Sequence, residues 1–221
     1  YMFNPFSLVL VWGVPNLLMF AYAAFPLLFY LFVTGLDRLR IREILLFCVL
    51  GFIFSGFAGN VSYVVVLWLL LGAFYAYKVL TEGKFIKRSI FFLSLLVIWV
   101  LTNTYWILPL IQGYKSVVSK AAYESGLDLL KGNTSTAYLL NSFRLFGYNV
   151  FWEKFFGNDH FYPYAYIYKM IPFIFISFIF PIVTFGGLLL DKTRKDKKVY
   201  FFFILALLSL FVYKGAQPPL G

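Results

Sequence analysis

The chain has 221 residues, of which 62% are hydrophobic and 13% charged, with a mean hydropathy of +0.84. A soluble domain is nearer half apolar and about a quarter charged, so this composition exceeds what one globular core can hide and calls for lipid as solvent. The net charge of +10 does not indicate nucleic acid, because the cations fall in both faces' connections and match a positive-inside bias and anionic headgroups.

A bilayer core needs roughly 20 apolar residues in helix. In chain order, runs of that kind lie at 14–35, 44–59, 61–80, 89–112, 170–190 and 199–213. Residues 6–11 form an apolar lead-in to the first, and the second and last are short. The fold class expected is therefore an all-α polytopic membrane protein of about six transmembrane helices, with one long extracytoplasmic loop carrying short amphipathic helices. Pro26 and Pro181 fall inside runs. Membrane helices tolerate proline because neighbours satisfy the freed carbonyls, so these two are expected to kink their helices rather than end them. Gly51, Ser55, Gly56 and Gly59 suit close helix packing. The single cysteine, Cys48, lies in an apolar run and carries no redox information.

Orientation follows from the connections. Arg38, Arg40 and Arg42 follow the first run; Lys78, Lys84, Lys87 and Arg88 follow the third; Lys192, Arg194, Lys195, Lys197 and Lys198 follow the fifth. The turn at Asn60 has no cation. The basic connections are expected in the cytoplasm, and Tyr1, the Asn60 turn, residues 113–169 and the tail after Tyr213 outside. The chain opens on Tyr1 and stops in Pro218-Pro219-Leu220-Gly221, which reads as an internal piece of a longer polypeptide.

The expected organisation is four transmembrane helices in 1–112, an aromatic-rich outer loop in 113–169, and two further helices in 170–221. A loop of that length is usually functional or carries its own helices, and helices are expected at 116–130 and 136–146. Between Phe143 and Tyr168 there are 12 aromatic residues among 26. Aromatic side chains belong at the headgroup level, as in a re-entrant or interfacial segment; they also make flat platforms with a polar edge for a sugar or lipid. Both readings stand. The substrate-binding candidates are Arg144, Lys214, Trp152, Asp159 and His160. Asn158-Asp159-His160 sets an acid beside a base, although a lone His is more often a solvated or capping residue. Arg144 and Lys214 are outer cations suited to a lipid phosphate, the plainer alternative being snorkelling to headgroups.

Several chemistries lack their signatures. There is no Cys/His cluster with zinc spacing, no phosphate-binding glycine loop and no Gly-x-Ser-x-Gly elbow. Ionisable groups at membrane depth are nearly absent, which counts against proton-coupled transport. No metal is expected.

Four segments carry a resemblance. Tyr22-Ala23-Ala24-Phe25-Pro26-Leu27 precedes Thr34-Gly35-Leu36-Asp37-Arg38, the fourth run ends on Asn103-Thr104-Tyr105-Trp106-Ile107-Leu108-Pro109-Leu110, and the last leads into Lys214-Gly215-Ala216-Gln217-Pro218-Pro219-Leu220-Gly221. This succession resembles the membrane region of large prokaryotic glycosyltransferases of the GT-C type, particularly the α-(1→3)-arabinofuranosyltransferase family, which implies a prokaryotic cell membrane. The resemblance implies a sugar taken from a polyprenyl-phosphate donor on the outer face and passed to a glycan or glycolipid acceptor, without a further cofactor. The family's carboxylate lies in a first outer loop not recognisable here, so no catalytic residue is assigned. Trp106, Pro109, Lys214, Gly215 and Gly221 match as structural or substrate-loop positions. The alternatives are a non-enzymatic membrane scaffold subunit and a lipid or solute transporter.

Overall fold

The structure, a computed structural model, describes residues 17–59, 61–117, 136–144, 154–155, 159–160, 166–187 and 197–214. The chain divides into two compact units, residues 14–117 and residues 1–13 with 118–221. Among the described residues the fold is helical apart from one short antiparallel pair.

The helices of the first unit are α1 (Leu17–Arg38), α2 (Ile41–Ile53), a 3-10 turn (Ser55–Gly59), α3 (Val61–Glu82), α4 (Phe85–Thr102) and α5 (Thr104–Val117). The first four α-helices each bury one stripe. On α3 it is Val64, Leu67, Leu71, Phe74 and Lys78; on α4 it is Arg88, Phe91, Leu95 and Trp99. Steps of three and four residues put these side chains on one helical face. α1 contributes Ala24, Leu28, Phe32 and Leu36, all buried. Phe74 meets Phe29 and Phe32 edge to face, with centroids 5.3 and 6.5 Å apart. The opposite faces are apolar as well: Val65, Val66, Leu69, Ile90, Leu93, Val97 and Leu101 are exposed.

Among the described residues, α3 and α4 are long and apolar enough to cross a bilayer, and only 28% and 22% of their apolar windows are buried. The core helix of a soluble protein would be mostly buried. The apolar helices Ile171–Gly186 and Lys198–Tyr213 are shorter.

The two helix hairpins close tightly. Leu39 and Lys84 take left-handed conformations, φ 54° and 58°, beside Gly83 at 71°. The Leu39 amide donates to the Gly35 carbonyl at 2.7 Å, the single-bond closure typical of a left-handed residue after a helix. As a result α1 and α3 end, and α2 and α4 begin, at the same end of the unit.

At that end the structure corrects an expectation. Lys78 and Arg88, assigned from sequence to solvated connections, are buried at 2% and 4% exposure. Lys78 Nζ donates to Asp37 Oδ1 and Glu82 Oε1, both at 2.7 Å. Arg88 donates to Glu82 Oε2 at 2.6 Å and to the Lys78 and Gly83 carbonyls at 2.7 and 2.8 Å. The physical reason is spacing. Glu82 stands one turn beyond Lys78, and the two-residue link brings Arg88 back over the same carboxylate.

The fourth run, expected as one helix over 89–112, is broken at Asn103, and the second ends as a 3-10 turn. Asn103 is 1% exposed. Its Nδ2 and backbone amide both donate to the Trp99 carbonyl, at 2.9 and 3.1 Å, and its Oδ1 accepts from Trp106 Nε1 at 2.9 Å. Thr102 and Thr104 also bond back to carbonyls of that turn. Three adjacent side chains competing for the same acceptors interrupt a helix. Tyr105 then donates to Ser55 Oγ at 2.6 Å and fixes the start of α5 to the 3-10 turn. Trp106 thus has a structural role. α1 and α5 continue through Pro26 and Pro109.

Candidate functional site

The second unit contains α6 (Leu139–Phe143), strands β1 (Lys154–Phe155) and β2 (Asp159–His160), a 3-10 turn (Ile167–Lys169), α7 (Ile171–Gly186) and α8 (Lys197–Lys214). The helix expected over 136–146 is shorter than anticipated. Its polar groups explain the compactness: Asn141 Nδ2 donates to the Thr136 carbonyl at 2.9 Å, and Ser142 Oγ to the Ala137 carbonyl at 3.0 Å. Ala137 and Ser142 are buried. A turn that satisfies its own backbone in this way can pack against apolar helices at little cost.

α6 packs against α8, and the residue that follows it reaches the middle of α7. Arg144, directly after α6, is 6% exposed, and its Nε donates to Ser177 Oγ at 2.7 Å. Its guanidinium stands 5.7 Å from the Phe178 ring centroid, within cation–π range. Ser177 in turn donates to the Ile174 carbonyl at 2.7 Å. Burial pushes the Arg144 guanidinium below its ordinary value, yet an arginine keeps its charge. Two turns further along α7, Phe185 meets Phe143 at 5.3 Å and Phe203 of α8 at 5.5 Å.

Between these three helices lies an apolar groove of about 430 Å³. Phe143 closes it on the α6 side, and Pro181, Thr184 and Phe185 form the α7 wall. The α8 wall is Ala206, Ser209, Leu210 and Tyr213, the i, i+3, i+4, i+7 face of a helix. The volume lies in the range of small-molecule sites, and the lining follows their usual pattern of apolar walls with a few hydroxyls. Sequence reasoning did not find this groove. The signal was present in the small residues Ala206 and Ser209 opposite Pro181, but pairing them required the helix register.

The five expected site residues are distributed as follows. Arg144 follows Phe143 directly, and Lys214 follows Tyr213 directly, so two lining residues of one groove are sequence neighbours of the two expected cations. Arg144 is seen fastening the loop helix to α7. Asp159 and His160 form β2, an unanticipated strand, in antiparallel register with Phe155 and Lys154 respectively. Trp152 lies outside the described residues, as do residues 118–135, where most of the other expected loop helix falls. No group of three or more His, Cys, Asp or Glu side chains suited to a metal occurs among the described residues.

Ser177→Ala tests the fastening. It removes the acceptor of a buried guanidinium N–H, a loss of about 1–3 kcal/mol, and the expected result is faster proteolytic cleavage in the 136–144 segment. Cleavage at the wild-type rate would show that this bond does not hold the loop.

Comparison with protein-family models, with curated proteins and with solved structures returns no match.

Proposed function

We propose that this chain is the membrane region of a GT-C type glycosyltransferase. In this reading six helices span the bilayer, the basic connections face the cytoplasm, and a sugar passes from a polyprenyl-phosphate donor to a glycan or glycolipid acceptor on the outer face. The observation that carries the reading is the groove between α6, α7 and α8. Its apolar walls suit an isoprenoid chain, and two of its lining residues, Phe143 and Tyr213, adjoin Arg144 and Lys214. A phosphate at the boundary would meet cations there while the tail stayed in lipid. The packing of α6 against α8 and the Arg144–Ser177 bond to α7 support a re-entrant loop, since backbone at membrane depth must be packed in protein or line a cavity. Transfer at an anomeric carbon also needs a base for the acceptor hydroxyl; that residue is not assigned.

Filling the groove tests the proposal. In the full-length protein purified from membranes, Ala206→Trp is expected to lower co-purified polyprenyl phosphate about tenfold, equivalent to about 1.4 kcal/mol, and to lower sugar transfer with it. Unchanged lipid occupancy in a folded variant would remove the groove from the mechanism. Retained lipid binding with no sugar transfer by the wild-type protein would favour a transporter instead.

A further inference from the structure

The end of the first unit where α2 and α4 begin holds a second groove, of about 370 Å³. Ile44 and Phe91, both 5% exposed, form its floor. Ile41 and Ile98 stand along its sides, and Arg40 and Lys87 at its mouth. Along α4 the lining extends from Lys87 to Ile98, roughly 16 Å of helix axis, so a basic entrance leads into an apolar channel between two parallel helices. None of the described residues lining it is acidic. The neighbouring carboxylate, Glu43, is buried with its Cβ against Gly35 of α1, 3.0 Å from where a Cβ on that glycine would stand.

The backbone adds charge of the same sign. Neither α2 nor α4 has a side-chain cap at its start. An uncapped helix start presents amide donors and the positive end of the helix dipole. Two such starts at one end, with Arg40 and Lys87 between them and an apolar channel below, complement a molecule with an anionic head and a hydrocarbon tail.

We propose that the α2–α4 groove binds an anionic glycerophospholipid of the cytoplasmic leaflet, with the headgroup phosphate at Arg40 and Lys87 and one acyl chain along Ile44, Phe91 and Ile98. The proposal rests on the reading that α2 and α4 lie in a bilayer, and it is independent of sugar transfer. The channel explains why a bound lipid is held rather than merely attracted: surface attraction to basic residues falls off within a Debye length, whereas a threaded chain is retained by its buried area.

The test uses the full-length protein in phosphatidylcholine nanodiscs doped with phosphatidylglycerol, with retained lipid counted by native mass spectrometry. The Arg40→Gln/Lys87→Gln double variant is expected to raise the half-saturating phosphatidylglycerol fraction about tenfold, and the groove-filling Ile98→Trp to do the same without changing charge. Arg38→Gln/Lys84→Gln makes the same charge change at the same end outside the groove, and wild-type retention is expected. Equal losses in both double variants would overturn the proposal, because the attraction would then be diffuse. A loss confined to the Arg40/Lys87 pair, with Ile98→Trp unaffected and eluting as a folded monodisperse species, would overturn it too, since the channel would play no part. A protein that stays in the aqueous phase without detergent would sink the bilayer reading itself before any lipid is counted.

Discussion

Glu82→Ala is expected to destabilise the first unit by about 3 kcal/mol, the low end of the cost of removing one partner from a buried ion pair. The asymmetry of exposure sets the magnitude. The Lys78 and Arg88 side chains are 3% and 4% exposed, while those of Asp37 and Glu82 are 39% and 41% exposed. Removing the acid strands cations that cannot hydrate, whereas removing a cation would strand carboxylates that can. Lys78 retains Asp37 after the change, but Arg88 keeps only carbonyls, and its Nε has no partner among the described residues. Asp37→Asn is expected to cost less, about 1 kcal/mol, because Glu82 still neutralises Lys78. Reversible unfolding of the full-length protein in mixed micelles measures both. The cycle with Arg88→Met isolates the pair: once no buried guanidinium is left to strand, the added cost of Glu82→Ala should largely vanish. A Glu82→Ala loss below that of Asp37→Asn would show that the cluster is solvated in the folded protein.

The second large effect is at Gly35. A Cβ built there would overlap the Phe91 ring Cζ and stand 3.0 Å from Glu43 Cβ. Phe91 has little room to retreat, being 5% exposed and packed against Phe32. Gly35→Ala is therefore expected to cost about 2 kcal/mol, in the range of core overpacking, despite the roughly 1 kcal/mol that alanine gains over glycine in a helix. At Gly72, in the middle of α3, a Cβ would meet nothing within 4 Å. Gly72→Ala is expected to stabilise by up to about 1 kcal/mol. Opposite signs for one chemical change at two helical glycines are the outcome to look for in the same unfolding measurement. A gain at both positions would mean that α1 does not approach α4 as closely as described.

Gly51 makes a milder contact of the same kind. A Cβ there would lie 3.3 Å from Trp99 Nε1, so close packing is seen at Gly51, whereas Ser55, Gly56 and Gly59 fall in the 3-10 turn. Such approaches matter more between apolar helices in lipid than in water. Lipid tails solvate leucine as well as another helix does, so association depends on van der Waals fit.

Periodicity and length alone placed most of the helices in this chain. α1, α3, α7 and α8 lie within a few residues of the runs expected, because a long apolar run with no competing polar group has one economical way to satisfy its backbone. The charge pattern likewise anticipated that the first and third connections share an end, and the Asp37–Lys78 pair shows that they do. What only the tertiary structure decided depended on contacts distant in sequence or on local competition for acceptors. The Asn103 break was written in Thr102-Asn103-Thr104, yet the pull of Trp106 on the Asn103 carboxamide became visible only once both were placed. The ion cluster needed the left-handed closure at Gly83-Lys84 to fold Arg88 back over Glu82. Both grooves arise from register: Ala206 and Ser209 face Pro181, and Ile44 faces Phe91, because helices pack by matching ridges and gaps, and no single helix encodes its partner's register.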